Sequence, residues 1–241
     1  MTLVVHHLQR SQSDRVVWLC EELGVPYELK IYQRDRKTLL APAELKALYA
    51  LPANRSIRNP ETAPIFQDGD LTLSESSAIM EYLMTKHGNG RFKIPPSSPA
   101  YADYVYWFQW SVGTLQPTVQ TPMTLQLAGV TDGSSPVVQA MQARVARALK
   151  SMDARLREKP YLAGDDFTAA DIYAAFTVST MRLFCPFPLT GYDGILQWLQ
   201  RLAERPAYKA MIDKAEKGED RGVVPTIMAE APTAMWAYLE K

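Results

Sequence analysis

The sequence predicts two domains of different class: an α/β domain of order β-α-β-α-β-β-α over residues 1–88, then an all-helical domain over 99–241. Three observations carry this reading. The first ninety residues switch between strand-like alternation and helical spacing; residues 88–99, GNGRFKIPPSSP, have the Gly, paired Pro and Ser of a linker, placed at 89–98; and only helical spacing follows.

Leu3 to Leu8 is short, apolar and β-branched, a buried strand. The polar loop QRSQSD separates it from RVVWLCEELG, a helix with Val16, Val17, Leu19, Cys20 and Leu23 on its apolar face. Glu21 and Glu22 are expected to face water, and Gly24 stops the helix ahead of Pro26. Tyr27 to Tyr32 alternates as a second strand, which completes a βαβ unit. PAELKALYA reads as a short helix and LPANRSIRNPET as loop. Ala63 to Gln67 and Leu71 to Leu73 are short strands joined through Asp68-Gly69-Asp70, a strong hairpin signal. A helix with Ala78, Ile79, Tyr82 and Leu83 on one face closes the domain near His87-Gly88. Beyond the linker, helical spacing runs near 100–126, 136–157, 168–183, 192–204 and 206–217, with loops at GVTDGSSP and CPFPLTGYD.

Equal numbers of basic and acidic residues, 26 each, give no electrostatic signal for a nucleic acid or an anionic membrane surface. A small ligand or a protein partner fits better. MTLVVHHLQRSQSDR lacks the long apolar core of a secretory leader, and no segment has the apolar length to span a bilayer. Cys20 and Cys185 stand far apart in no metal-binding spacing, so unpaired thiols and a cytoplasmic location are expected. No metal site is expected either.

Residues 72–77, TLSESS, place hydroxyls around one carboxylate, Glu75, at the mouth of a helix. Two readings stand. Thr72 and Glu75 have capping-box spacing, which needs the fewest assumptions; alternatively, the helix N-terminus with Ser76 holds a ligand carboxylate while Glu75 takes an amine. In FTAADIYAAF, Thr168 and Asp171 have the same spacing, and there the reading is structural.

SQSDRVVWLCEELGVPYELK, APIFQDGDLTLSESSAIMEYL and YLAGDDFTAADI, spread over both predicted domains, resemble successive motifs of the cytosolic glutathione transferases. IYQRDRKTLLAPAELKALYAL and YWFQWSVGTLQP are similar to a bacterial and fungal branch of that family. The resemblance implies a thioredoxin-like first domain that binds glutathione, a helical second domain that contributes the electrophile pocket, and a homodimer. One departure stands out. The branch's short connection to its cis-proline is replaced by ANRSIRNPETA, without a basic residue just before Pro64, so Arg55 or Arg58 becomes a candidate replacement. This stretch, 53–63, is expected to border the ligand site or the subunit interface.

The resemblance also implies a chemistry. Glutathione's thiol has a reference pKa of roughly 8.5, so a transferase needs a donor aimed at the sulfur to favour the thiolate. Serine-type members place that hydroxyl four residues before an arginine opening the first helix; Ser11 has this spacing to Arg15, with Ser13 the alternate and helix capping its expected role. A cis Pro64 would turn the Ala63 backbone toward the cysteinyl part of glutathione, and Glu75 with Ser76 would take its γ-glutamyl end. Tyr106, Trp107 and Trp110 are candidates for the apolar electrophile pocket. His6 and His7 are expected in satisfied structural roles, Cys20 as an inert buried thiol and Cys185-Pro-Phe-Pro as a helix stop. The function so implied is a detoxifying transferase joining glutathione to an apolar electrophile. The alternatives are a glutathione-binding regulatory or scaffold protein, and peroxidase or reductase side activity.

Overall fold

Strand β1 (Leu3–Leu8) lies inside a five-stranded mixed sheet, which is why its residues, histidines included, are almost all buried. The computed structural model describes residues 2–48, 55–57, 63–130, 132–216 and 227–238, at 55–57 and 238 the backbone alone. β1 pairs parallel with β2 (Tyr27–Tyr32) and antiparallel with β4 (Ile65–Asp68), which forms a hairpin with β5 (Leu71–Ser74). The expected turn is there. Gly69, at φ 57°, supplies the left-handed residue that so tight a connection needs.

The stretch read wholly as loop contains a strand, β3 (Arg55–Ile57), paired parallel with β5 at the sheet edge. Three residues between prolines and asparagines are too few to show alternation, so local pattern had nothing to reveal. The order is therefore β-α-β-α-β-β-β-α, the mixed α/β class expected with one more strand.

Helix α1 (Asp14–Leu23) ends at Gly24, φ 63°, as its sequence predicts. It is buried on nearly every side, because α9 (Pro206–Ala215) packs against it as well as the sheet and α3 (Ser76–Lys86). This corrects the expectation that Glu21 and Glu22 face water. Glu22 accepts two bonds from Arg205 at 2.6 and 2.8 Å and one from Trp18 Nε1 at 3.0 Å, while Glu21 accepts from Lys214 and from Tyr27, each at 2.6 Å. Trp18 and Tyr208 meet edge to face, with ring centroids 4.9 Å apart. α2 (Ala43–Ala47) is short and anchored by Leu45 in a small cluster with Leu8, Ala63 and Ile65.

By contact the chain divides into two compact units, Met1–Arg91 with Ala203–Val224 and Met235–Lys241, and Phe92–Leu202 with Pro225–Ala234. The second unit is helical. α4 (Tyr101–Trp110) and α5 (Gln116–Leu127) are joined by a π-helical stretch, Ser111–Leu115, where one unbroken helix is expected. Pro117 explains the widening: it cannot donate to the Gly113 carbonyl four residues back, and its ring crowds that carbonyl. α6 (Pro136–Glu158), α7 (Ala169–Val178) and α8 (Asp193–Ala203) complete the unit, α7 buried along its whole length. The capping box at its start is formed. Asp171 accepts from the Thr168 amide at 2.9 Å and the Thr168 hydroxyl accepts from the Ala170 amide at 3.3 Å. Among the described residues no helix is long and apolar enough to cross a membrane.

Candidate active site

Leu8 ends β1, and the chain turns through Arg10, at φ 54°, into a short polar loop that opens α1. Ser13 occupies the N-cap position but makes no side-chain capping bond, contrary to the role expected of it. Its hydroxyl turns back toward β1, where it accepts from the Leu8 amide at 3.2 Å and meets His7 Nδ1 at 2.8 Å. Ser11 Oγ lies 2.6 Å from Ser13 Oγ and accepts from the Ser13 amide at 3.2 Å. Ser11 is 7 % exposed and Ser13 wholly buried, so of the two residues only Ser11 has any accessible surface.

The same loop reaches two other elements. Gln12 Nε2 donates to the Ala63 carbonyl at 3.0 Å, Arg15 Nη1 to Gln12 Oε1 at 3.5 Å, and Arg15 Nη1 to Ser76 Oγ at 3.3 Å. The sequence-predicted residues Ser11, Ala63 and Ser76, from three separate segments, are thereby linked through one loop and one buried guanidinium. The Ala63–Pro64 peptide is cis, as expected.

Glu75 stands at the N-cap position of α3 with φ 69° and ψ 109°, outside the regions that L residues favour, and makes no side-chain cap bond. Thr72 lies within β5, so the capping reading of TLSESS fails: strand and helix abut with no room for the box. Non-glycine residues in such conformations cost about 1–3 kcal/mol and cluster at functional sites, which favours the ligand reading of this stretch. The loop expectation at 53–63 lies outside the described residues except at β3 and Ala63, and the side chain of Arg55 lies outside them too.

His6 is satisfied as expected, by Tyr32 at 2.9 Å and Gln67 at 3.1 Å; burial lowers its pKa, with the Gln67 bond opposing. His7 is not. Its Nε2 is buried without a hydrogen-bond partner among the described residues, and carboxylates stand near both nitrogens, Asp14 at 3.8 Å from Nδ1 and Glu216 at 3.8 Å from Nε2. His7, Asp14 and Glu216 bring possible ligating atoms within 4.8 Å of one another. They nonetheless suit an internal ion network better than a cation site. The close contacts fall on opposite ring nitrogens, Glu216 also accepts from the Arg10 amide at 3.0 Å, and the Arg34 guanidinium beside them is lowered to about 10 by burial and by Arg10, against the pull of Asp14 and Glu216.

Sequence reasoning missed Gln12, His7 and Glu216 and used Arg15 only as a marker. The available signal for His7 was its place in an apolar strand, where a polar side chain must find partners; Glu216 lies 206 residues from Arg10 and left no local trace.

In the helical unit, Trp107 is buried and stacks edge-on with Tyr106 at 5.2 Å and Trp110 at 5.1 Å, and Tyr106 is 56 % exposed. A cavity of about 420 Å³ lies elsewhere in that unit, lined by residues that include Met123, Leu149, Cys185, Phe187 and Tyr192 and by none of these three aromatics. Burial pushes the Cys185 thiol up to about 12 and the Cys20 thiol higher still, so neither is a ready nucleophile.

Residues 10–86 match the model of the glutathione S-transferase N-terminal domain and residues 112–206 that of the C-terminal domain. The chain is 31 % identical over 232 residues to glutathione S-transferase 3 of Schizosaccharomyces pombe, across 89 % of this chain and 88 % of that one. It superposes on a glutathione S-transferase from Actinobacillus pleuropneumoniae with a TM-score of 0.78 at 30 % identity, covering 92 % and 96 % of the two chains. Glutathione S-transferase I, solved with lactoylglutathione bound, shares the fold at a TM-score of 0.62 and 22 % identity, covering 88 % and 99 %. Two domain models that together span most of the described chain, and a relative matched nearly end to end, place it in the glutathione S-transferase family, as a glutathione transferase.

Proposed function

We propose that this transferase joins the glutathione thiolate to an apolar electrophile, with the Ser11 hydroxyl as the donor that favours the thiolate. The observation that carries the reading is the polar chain from Ala63 through Gln12 and Arg15 to Ser76, because it holds the Ser11 loop in register with two segments suited to the rest of glutathione. Glu75 and Ser76, at the N-terminus of α3, complement the ammonium and carboxylate of the γ-glutamyl group, and the Ala63–Pro64 backbone pairs with the cysteinyl residue. The start of α1 adds its positive end to the stabilisation of the sulfur.

In this reading residues 1–88 bind glutathione, 89–98 link, and 99–241 supply the electrophile surface through Tyr106 and Trp110, with Trp107 packed behind them. The exposure of Tyr106 beside two tryptophans supports a flat apolar substrate. The working form is a cytoplasmic homodimer with a detoxifying role, and Arg55 is a candidate for the glycine end of glutathione.

The test is Ser11→Ala. Glutathione should bind nearly as well, while turnover at neutral pH falls on the order of 10²-fold and partly recovers as pH rises and the thiol ionises unaided. Turnover equal to that of the unaltered enzyme would remove Ser11 from the chemistry.

A further inference from the structure

The hydroxyl assigned to the thiolate is already engaged: Ser11 Oγ sits 2.6 Å from Ser13 Oγ. Counting hydrogens shows what decides the direction of that bond. Ser13 Oγ has one hydrogen to give and two lone pairs to receive. The Leu8 amide takes one lone pair, at 3.2 Å, which leaves one lone pair and one hydrogen to divide between His7 Nδ1, at 2.8 Å, and Ser11 Oγ, at 2.6 Å. The Leu8 carbonyl, at 3.3 Å, is the remaining and weaker acceptor.

If His7 Nδ1 bears no hydrogen, Ser13 donates to it, and the lone pair left over receives the hydrogen of Ser11. The Ser11 hydroxyl then points inward and cannot donate to sulfur. If Nδ1 bears a hydrogen, Ser13 receives it and passes its own hydrogen to Ser11 Oγ, which already accepts from the Ser13 amide at 3.2 Å. Both Ser11 lone pairs are then occupied, and its hydrogen is left for a ligand.

We infer that His7 is a positioning residue of this transferase: its Nδ1–H starts a chain His7 → Ser13 → Ser11 that aims the Ser11 hydrogen at the bound thiolate. The inference rests on the reading of Ser11 as the thiolate's donor. Every member is buried, His7 and Ser13 at 0 % exposure and Ser11 at 7 %, so water does not compete for the inner bonds, and each bond polarises the next. The charged groups facing the ring come from several elements. Asp14 of α1 stands by Nδ1 and Glu216, after α9, by Nε2, with Arg10 and Arg34 beside the two carboxylates. Asp14 places an Nδ1–H directed to Ser13 in a favourable field, and Glu216 does the same for an N–H at Nε2.

The experiment measures the pKa of the bound glutathione thiol, by the ultraviolet absorbance of the thiolate at saturating glutathione, in the full-length enzyme. His7→Leu removes the donor, and the bound thiol's pKa should rise by about one unit, a tenfold fall in its ionisation constant. If that chain does not fold, His7→Gln, whose amide reaches toward the place of Nε2, takes its part. His7→Asn puts an amide N–H near the place of Nδ1 and should hold that ionisation constant within about threefold of its value in the unaltered enzyme. In a Ser13→Ala background, where the chain is cut, the donor-removing substitution should add no further change. Equal losses in the Asn and Leu variants, no loss in either, or a loss that persists undiminished without Ser13 would overturn the inference. Ser11→Ala separates the two levels: if it raises the thiol pKa while the His7 variants do not, only the relay falls, and if it does not, the donor assignment falls and the relay with it.

Discussion

Arg15 Nη1 donates to Ser76 Oγ at 3.3 Å, joining the first turn of α1 to the first residue of α3, 61 positions later, with both side chains buried. The bond leaves the Ser76 hydroxyl hydrogen to be given elsewhere, and a γ-glutamyl carboxylate is the acceptor proposed for it. Ser76→Ala should therefore weaken glutathione binding by about 1–3 kcal/mol, the range for a hydrogen bond to a charged group. Titration calorimetry reads this directly. Unaltered affinity would leave Ser76 as a structural partner of Arg15 alone.

Glu75, at φ 69° and ψ 109°, holds a positive-φ conformation that costs glycine, which lacks a Cβ, less than any other residue. Glu75→Gly should then raise thermal stability, by up to about 1 kcal/mol once the added freedom of the unfolded chain is counted, while glutathione affinity falls. Glu75→Ala should lose the affinity without gaining the stability. Differential scanning calorimetry of the two variants decides the matter: a Gly variant less stable than the Ala variant by the full unfolded-chain cost of glycine, about 0.4–1 kcal/mol, would mean that the backbone there stores no strain.

The sequence carried the fold where elements are long or punctuated, as with Gly24 ending α1, Gly69 in the hairpin and the Thr168–Asp171 box. It failed where tertiary contact overrides pattern. Three residues of β3 have no period to read, the π-helical turn before Pro117 answers a clash invisible in a helical wheel, and Glu21 and Glu22 look solvent-facing until α9 arrives from nearly two hundred residues away. The site followed the same division. Ser11, Ala63, Glu75 and Ser76 lie in motifs with local signatures, whereas the Gln12–Arg15 bridge and the His7–Glu216 contact are products of folding.

Asp68 of β4 accepts from Tyr82 at 2.8 Å and His87 at 2.9 Å, tying the hairpin to α3. Burial pushes its carboxyl up, but the bonds from Tyr82 and His87 and the His87 charge together hold its pKa below the usual carboxylate value. A depressed folded-state pKa contributes stability that is present above the unfolded-state value and is lost as pH falls through the folded one. Stability of the enzyme should therefore decline below about pH 4, and Asp68→Asn should flatten that acid limb while lowering the plateau. Urea midpoints measured across this range are the check; an acid limb of unaltered slope would show that Asp68 does not contribute to it.

Asp171 is wholly buried in the second unit, and its oxygens accept from the Leu162 amide at 3.0 Å, the Thr168 amide at 2.9 Å, the Thr168 hydroxyl at 3.2 Å and Trp198 Nε1 at 2.9 Å. Burial raises its pKa against the pull of these donors. One side chain thus binds the start of α7, the turn that follows α6 and a tryptophan of α8, and its removal would strand several buried donors at once. Each donor left unpaired costs about 1–3 kcal/mol, so Asp171→Ala should destabilise the protein by at least about 3 kcal/mol, a large share of the total stability of a typical domain. Asp171→Asn keeps one acceptor oxygen and places its amide N–H against at least one backbone or indole N–H that cannot accept it, so its stability should fall between those of Asp171→Ala and the unaltered chain. Glutathione affinity per folded molecule should be unaffected, because the carboxylate serves the fold of the helical unit and touches none of the proposed glutathione contacts. Denaturant midpoints together with calorimetric titration of the folded fraction separate the two effects, and an Ala variant as stable as the unaltered chain would mean that water satisfies donors the fold here assigns to Asp171.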